Sequence, residues 1–141
     1  LSNGELADVS GTPSNGVNFN TLTTNGSYFL SVKTRNHLAV MSANTVSVPN
    51  STILNLTQTA NVMGGAPQLA NMGGGIYAML AGDMDGNGTV TVTDFNFFQQ
   101  EMSIINNYVD SDCNMDKNVT VADFNLYSPN MSKIGVAQVR Y

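Results

Sequence analysis

The sequence predicts a mainly β chain with a small α part: a β-sandwich over residues 1–82, a pair of oxygen-rich loop–helix units over 83–133, and a closing β-strand over 134–141. Three observations carry this. Before Gly82, short β-prone runs alternate with Gly, Asn, Pro and Ser punctuation. After it, Asp83 to Asp94 and Asp112 to Asp123 repeat each other at an offset of 29 residues (112 minus 83). Behind each repeat the same Asp-Phe-Asn leads into an apolar run, Phe95 to Phe98 and Phe124 to Tyr127.

The β-prone runs are Val17 to Leu22, Tyr28 to Lys33, His37 to Ser42, Val46 to Val48, Ile53 to Thr57 and Ile76 to Leu80. Short strands at this spacing indicate a small antiparallel sandwich. Asn25-Gly26 is a hairpin signal and Pro49-Asn50 marks a further turn. Because Leu1 to Gly16 reads as a polar loop, the sheet is expected to be one strand short. An unpaired apolar edge is a template for another chain. The last segment, Ile134 to Tyr141, is β-prone and follows the Pro129 break, and it is the candidate donor strand.

Each repeat has the ligand order of a twelve-residue calcium loop. Positions 1, 3, 5, 9 and 12 carry oxygen: Asp83, Asp85, Asn87, Thr91 and Asp94 in the first, Asp112, Asn114, Asp116, Thr120 and Asp123 in the second. Position 7 offers a backbone carbonyl, from Thr89 and Asn118. Hard cations take six to eight oxygens at roughly 2.3–2.6 Å, and alternate side chains of a loop supply them without nitrogen or sulfur. Two Ca²⁺ sites are therefore expected. Lys117 stands at position 6 of the second loop, where Gly88 stands in the first. A Cβ at this turn, which favours positive φ, costs about 1 kcal/mol, so the second site is expected to be weaker. Val90 and Val119 at position 8 should lie on a strand joining the loops, and the Phe after position 12 should open the buried face of a helix.

Composition limits the functions. Charged residues are only 11% of the chain, and of the ten acidic residues only Glu5 and Asp8 precede Asp83. The formal charge of −5 is thus local to the loops, and two Ca²⁺ would bring it to −1, coupling folding to metal. Five scattered basic residues give no nucleic-acid footprint, and no apolar run is long enough to span a membrane. The single Cys113, at loop position 2, should point outward and excludes an intramolecular disulfide framework. Weak calcium loops fill where free calcium is high, so an extracellular, secreted location is expected.

Position 12 is Asp in both loops, and no helix signal precedes Asp83, since Gly73 to Gly82 reads as a short strand. In these features residues 83–133 resemble the dockerin type I repeat. That resemblance implies two packed loop–helix units without entering helices, docking onto a cohesin module. Where dockerins commonly carry a Ser-Thr type pair at positions 10 and 11, this chain has Val92-Thr93 and Val121-Ala122, which puts cohesin binding in doubt. Residues 17–82, through the stretch Gly26 to Met41, resemble the Ig-like or transthyretin-like sandwiches, of the carboxypeptidase-regulatory type, of large secreted bacterial proteins.

The other candidates weigh less. His37 is the only histidine and reads as structural; without it no nucleophile–base pair can be built, and the carboxylates are nearly all committed to calcium, so an enzyme is not expected. The Gly64-Gly65 and Gly73 to Gly75 runs lack a following Lys-bearing helix and read as loops. Eight Met residues are expected to fill core gaps. Six Asn-x-Ser/Thr sequons, at Asn25, Asn50, Asn55, Asn87, Asn118 and Asn130, follow chiefly from Asn and Thr richness. The expected function is a non-enzymatic, calcium-stabilised extracellular assembly module with a protein partner. The leading form is a fibre or sheath subunit that lends residues 134–141 to copies of itself; the alternative is an anchoring region of a larger secreted hydrolase or adhesin.

Overall fold

In the computed structural model, which describes residues 25–50 and 52–139, the first β-region is one long bulged hairpin. Strand β1 (Gly26–Tyr28) pairs antiparallel with β4 (Val46–Val48), and inside it β2 (Ser31–Val32) pairs with β3 (Val40–Met41). Between the Tyr28↔Val46 and Ser31↔Met41 pairs, residues 29–30 face the longer stretch 42–45, which forces a bulge. Buried Ser42 absorbs it: its hydroxyl accepts from Leu30 N at 3.0 Å and its own N donates to Leu30 O at 2.8 Å.

Residues 41–43 also pair on their other side, through Met63 N to Met41 O and Ala43 N to Asn61 O, both 2.8 Å. A second hairpin joins β5 (Leu69–Asn71) to β6 (Tyr77–Met79). Its turn needs glycine, because Gly73, Gly74 and Gly75 all have positive φ (85°, 60° and 78°). The described strands therefore form three two-stranded antiparallel sheets. The run Val17 to Leu22 lies outside the described residues.

Two expected strands do not form. In the run Ile53 to Thr57, the Asn55 carboxamide oxygen accepts from Thr57 N at 2.9 Å and Thr57 Oγ1 at 2.6 Å, an Asx-type turn that bends the chain out of the extended path. At the other end only Ile134 pairs, as an isolated bridge to Thr89, and the chain then turns so that Val139 N reaches Val136 O at 3.0 Å. Strand alternation would put Val136 and Val139 on opposite faces. The turn instead buries both against Ala39, with Met41 and Met63 packed alongside. Residues 134–139 are thus folded onto their own chain.

Two helices follow the loops, α1 (Val92–Glu101) and α2 (Val121–Tyr127), and β6 is the element that precedes Asp83. Both helices start on a threonine cap with a capping box, Thr91 with Asp94 and Thr120 with Asp123. Apolar residues three apart, Phe95 and Phe98 on α1, Phe124 and Tyr127 on α2, meet in one aromatic cluster, with Phe98 and Phe124 centroids 5.6 Å apart. The largest buried cluster unites Phe98, Tyr127, Val90 and Val119 with Leu38, Leu80 and Ala81. One core therefore crosses residue 82. Of the methionines, Met84 is in that core, while Met72, Met102, Met115 and Met131 are exposed, contrary to a general gap-filling role.

Candidate metal centre

The two loops repeat each other in their main hydrogen bonds. At position 12, Asp94 Oδ1 accepts from Met84 N at 2.7 Å and Asp85 N at 3.2 Å; Asp123 Oδ1 accepts from Cys113 N at 2.9 Å and Asn114 N at 3.2 Å. The other carboxylate oxygens accept from the caps, Thr91 N at 2.7 Å and Thr120 N at 2.8 Å. At position 1, the Asp83 carboxylate accepts from Gly88 N at 3.1 Å, and Asp112 Oδ2 from Lys117 N at 3.0 Å. The side-chain oxygen at position 5 accepts from the position 7 amide in both loops, Thr89 N to Asn87 and Asn118 N to Asp116, each 2.8 Å. Each loop thus wraps its own backbone donors around oxygen acceptors, and four of those carboxylates, Asp83, Asp94, Asp112 and Asp123, are buried.

In the first loop Asp83, Asp85 and Asp94 bring one carboxylate oxygen each within 4.8 Å of one another. Among the described residues this is the only such acidic triad; Asp112, Asp116 and Asp123 do not converge as closely. Burial lifts the Asp83 carboxyl above its ordinary range; the Gly88 amide opposes this, and the charges of Asp94 and Asp85 reinforce it. Exposed Asp116 is lowered instead, chiefly by the Asn118 backbone amide. No lysine or arginine among the described residues forms an ion pair with these six loop carboxylates; the one ion pair described is Arg35 with Asp110, at 3.6 Å. Buried like charges without a counter-charge are costly, and an all-oxygen donor set is what a hard divalent cation fits.

Thr91 and Thr120, expected at position 9, spend their hydroxyls on helix capping, accepting from Thr93 N and Ala122 N at 3.2 Å. Thr91 O accepts in addition from Tyr127 Oη at 2.8 Å, so α2 braces the first loop. The second loop carries two residues at positive φ where the first has glycine: Lys117 (74°) for Gly88 (87°), and Met115 (62°) for Gly86 (69°). Lys117 is announced by its place at the position 6 turn, whereas Met115 stands at position 4, outside the ligand spacing.

No family model, no curated protein and no solved structure matches this chain.

Two expectations change, and one sequon drops out as a candidate sugar acceptor. Position 8 does not join one loop to the other: Val90 pairs with the segment after α2 (Val90 N to Lys133 O, 2.9 Å; Ser132 N to Val90 O, 2.8 Å), and Val119 with the segment after α1 (Val119 N to Ile104 O, 2.8 Å; Ser103 N to Val119 O, 3.1 Å). Position 2 points inward, so Cys113 is 3% exposed and packs in the main core beside Met84; burial and the nearby Asp123 and Asp112 push its thiol up to about 12. Asn130 is buried, with its amide donating to Ala81 O at 2.8 Å and Leu126 O at 2.9 Å, which removes it as a sugar acceptor in the folded chain.

The sequence did hold a signal for the crossed pairing. Met102-Ser103 and Met131-Ser132 stand at the same 29-residue offset (131 minus 102), and both serines adopt positive φ, 72° and 69°. The repeat unit therefore runs past the helix to the serine that turns the chain toward the other loop.

Proposed function

We propose that the chain is a non-enzymatic, extracellular, calcium-stabilised module that binds a protein partner, with Ca²⁺ held by both loops. The observation that carries this reading is the paired hydrogen-bond pattern, which in both copies turns carboxylates inward and leaves them without a cationic side chain among the described residues. Asp83, Asp85, Asn87, Thr89 O and Asp94 would hold the first ion, and Asp112, Asn114, Asp116, Asn118 O and Asp123 the second, with Thr91 and Thr120 acting from position 9 through water. Glycine at both strained turns of the first loop favours its tighter binding. No helix among the described residues is long and apolar enough to cross a membrane.

The sandwich assignment belongs to the same proposal: the bulged hairpin of residues 26–48 is read as part of an Ig-like or transthyretin-like sheet. Between the two partner readings, an anchoring role in a larger secreted protein is favoured over donor-strand polymerisation. Lending residues 134–141 to a copy would first have to extract Val136 and Val139 from their buried cluster. The deciding experiment is calorimetric titration with Ca²⁺, together with sedimentation of the calcium-loaded chain. Two sites and a monomer at high concentration support the anchoring reading. Calcium-dependent polymers that vanish on deleting residues 134–141 would restore the donor-strand reading, and absence of binding would remove calcium altogether.

A further inference from the structure

Asn36 is fully buried, 0% exposed, and lies far from the loops in sequence. Its amide nitrogen donates to Asp110 O at 2.9 Å and Asp112 O at 2.7 Å, so both protons end on the turn that enters the second loop. With those protons placed there, the carboxamide oxygen faces His37 Nδ1 at 2.8 Å and accepts from it. The backbone oxygen of the same residue accepts from Gly82 N at 2.8 Å, one residue before the first loop begins at Asp83. A single side chain and its own peptide thus touch the starts of both loops.

The repeat explains why an outside residue is needed there. In the first unit, the carbonyl two positions before the loop, Ala81 O, is served from within the module by the Asn130 amide at 2.8 Å. Its counterpart in the second unit is Asp110 O (110 minus 81 is 29), and the counterpart of Asn130 is Glu101 (130 minus 101 is 29). A carboxylate has no proton to give. Glu101 Oε2 accepts from Ser111 N at 2.8 Å instead, leaving Asp110 O to Asn36, which reaches it from 74 residues upstream. Here the duplication is broken, and the β-region supplies the missing donor.

We propose that Asn36 is a positioning residue that couples the two cation sites to each other and to the ladder of residues 36–38 with 80–82. It holds the first residue of the second loop to the strand that delivers the first residue of the first loop, so order in either loop favours the other. The inference rests on the calcium reading above. Site–site coupling of this kind typically changes affinity by roughly 5- to 150-fold and is reciprocal.

The test is titration of the full chain with Ca²⁺ alone in four forms: wild type, Asp83→Ala, Asn36→Ala and the double variant. The proposal expects Asp83→Ala to weaken the remaining second site at least about fivefold relative to its wild-type affinity, and expects that penalty to disappear when Asn36 is already Ala. Arg35→Ala, which removes the neighbouring surface pair with Asp110 and the contacts to Tyr108 but neither bond of the Asn36 amide, should leave the coupling intact. Should Asn36→Ala fail to fold, hydrogen exchange on the Asp83→Ala chain decides: filling the second loop should slow exchange of the Leu38 amide, which donates to Leu80 O at 2.8 Å. Two independent sites in wild type, a coupling that survives Asn36→Ala, or a Leu38 amide indifferent to calcium would each overturn the proposal while leaving calcium binding standing. A wild-type chain that binds no calcium would overturn the calcium reading itself.

Discussion

Replacing Asp83 by Asn separates a carboxylate kept for a cation from one kept for the fold, because the two cases differ in sign. Three carboxylate oxygens of Asp83, Asp85 and Asp94 lie within 4.8 Å of one another. At that spacing two full charges repel by about 3.5 kcal/mol at an effective dielectric constant of about 20, and Asp83 takes part in two of the three pairs. Asn keeps the shape and an oxygen for Gly88 N but removes the charge, so the metal-free protein loses that repulsion. It also loses the extra strength of a charge-assisted bond, roughly 1 kcal/mol, and Asp85 is partly screened by solvent. A net gain of about 1–3 kcal/mol in EDTA follows, or a rise in Tm of very roughly 3–10 °C for a chain of this length. With calcium at a hundred times its Kd the wild type gains about 2.7 kcal/mol per site, and Asp83→Asn forfeits most of this at the first loop. Thermal unfolding with excess EDTA and with millimolar calcium reads both arms. A variant destabilised equally in the two conditions would show that Asp83 is a structural acceptor for Gly88 N and refute the argument.

Gly82→Ala should cost roughly 2–4 kcal/mol by denaturant unfolding, since the new Cβ would lie 2.8 Å from Tyr127 Cδ2 at a φ of 118°. Ser111→Ala should be neutral or stabilising by up to about 1 kcal/mol, because its buried hydroxyl has no hydrogen-bond partner; a clear loss would reveal an unseen one. Tyr127→Phe should cost about 1 kcal/mol through the bond to Thr91 O and weaken calcium at the first loop more than the second, which calorimetry resolves; Phe98, at the repeat-related position, shows that the ring alone packs. Burial lowers the pKa of His37 from 6.5, so its contribution to stability is full above pH 6.5 and is lost as the pH falls through the lower folded value; melts between pH 8 and 5.5 should show this dependence reduced in His37→Gln.

The loops were legible because their signal is local. The repeated oxygen spacing, the threonine before each helix and the Phe after Asp94 and Asp123 all lie within fifteen residues of one another; the threonines cap the helices and the two phenylalanines meet in the aromatic cluster. The strand Val46–Val48 falls on its β-branched run, whereas Ile53 to Thr57 has equal propensity and is diverted by one Asn55 side chain that composition does not flag. Cys113 and Met84 point inward because the loops fold over a core shared with Leu38 and Leu80, a contact that nothing near position 2 announces. Asn36 is hidden for the same reason: an asparagine between Arg35 and His37 looks like surface until the turn at 110–112, from the far side of the chain, closes over it.

The crossed pairing of Val90 with Ser132 and Lys133, and of Val119 with Ser103 and Ile104, makes each repeat the missing edge of the other. Neither half can satisfy the backbone of its own position 8, so neither is a folding unit by itself. A chain nicked between Asn106 and Asn107 would keep both halves in one body, held by pairings that do not depend on the peptide between them. A lone 29-residue repeat would have to seek those same bonds in a second copy of itself.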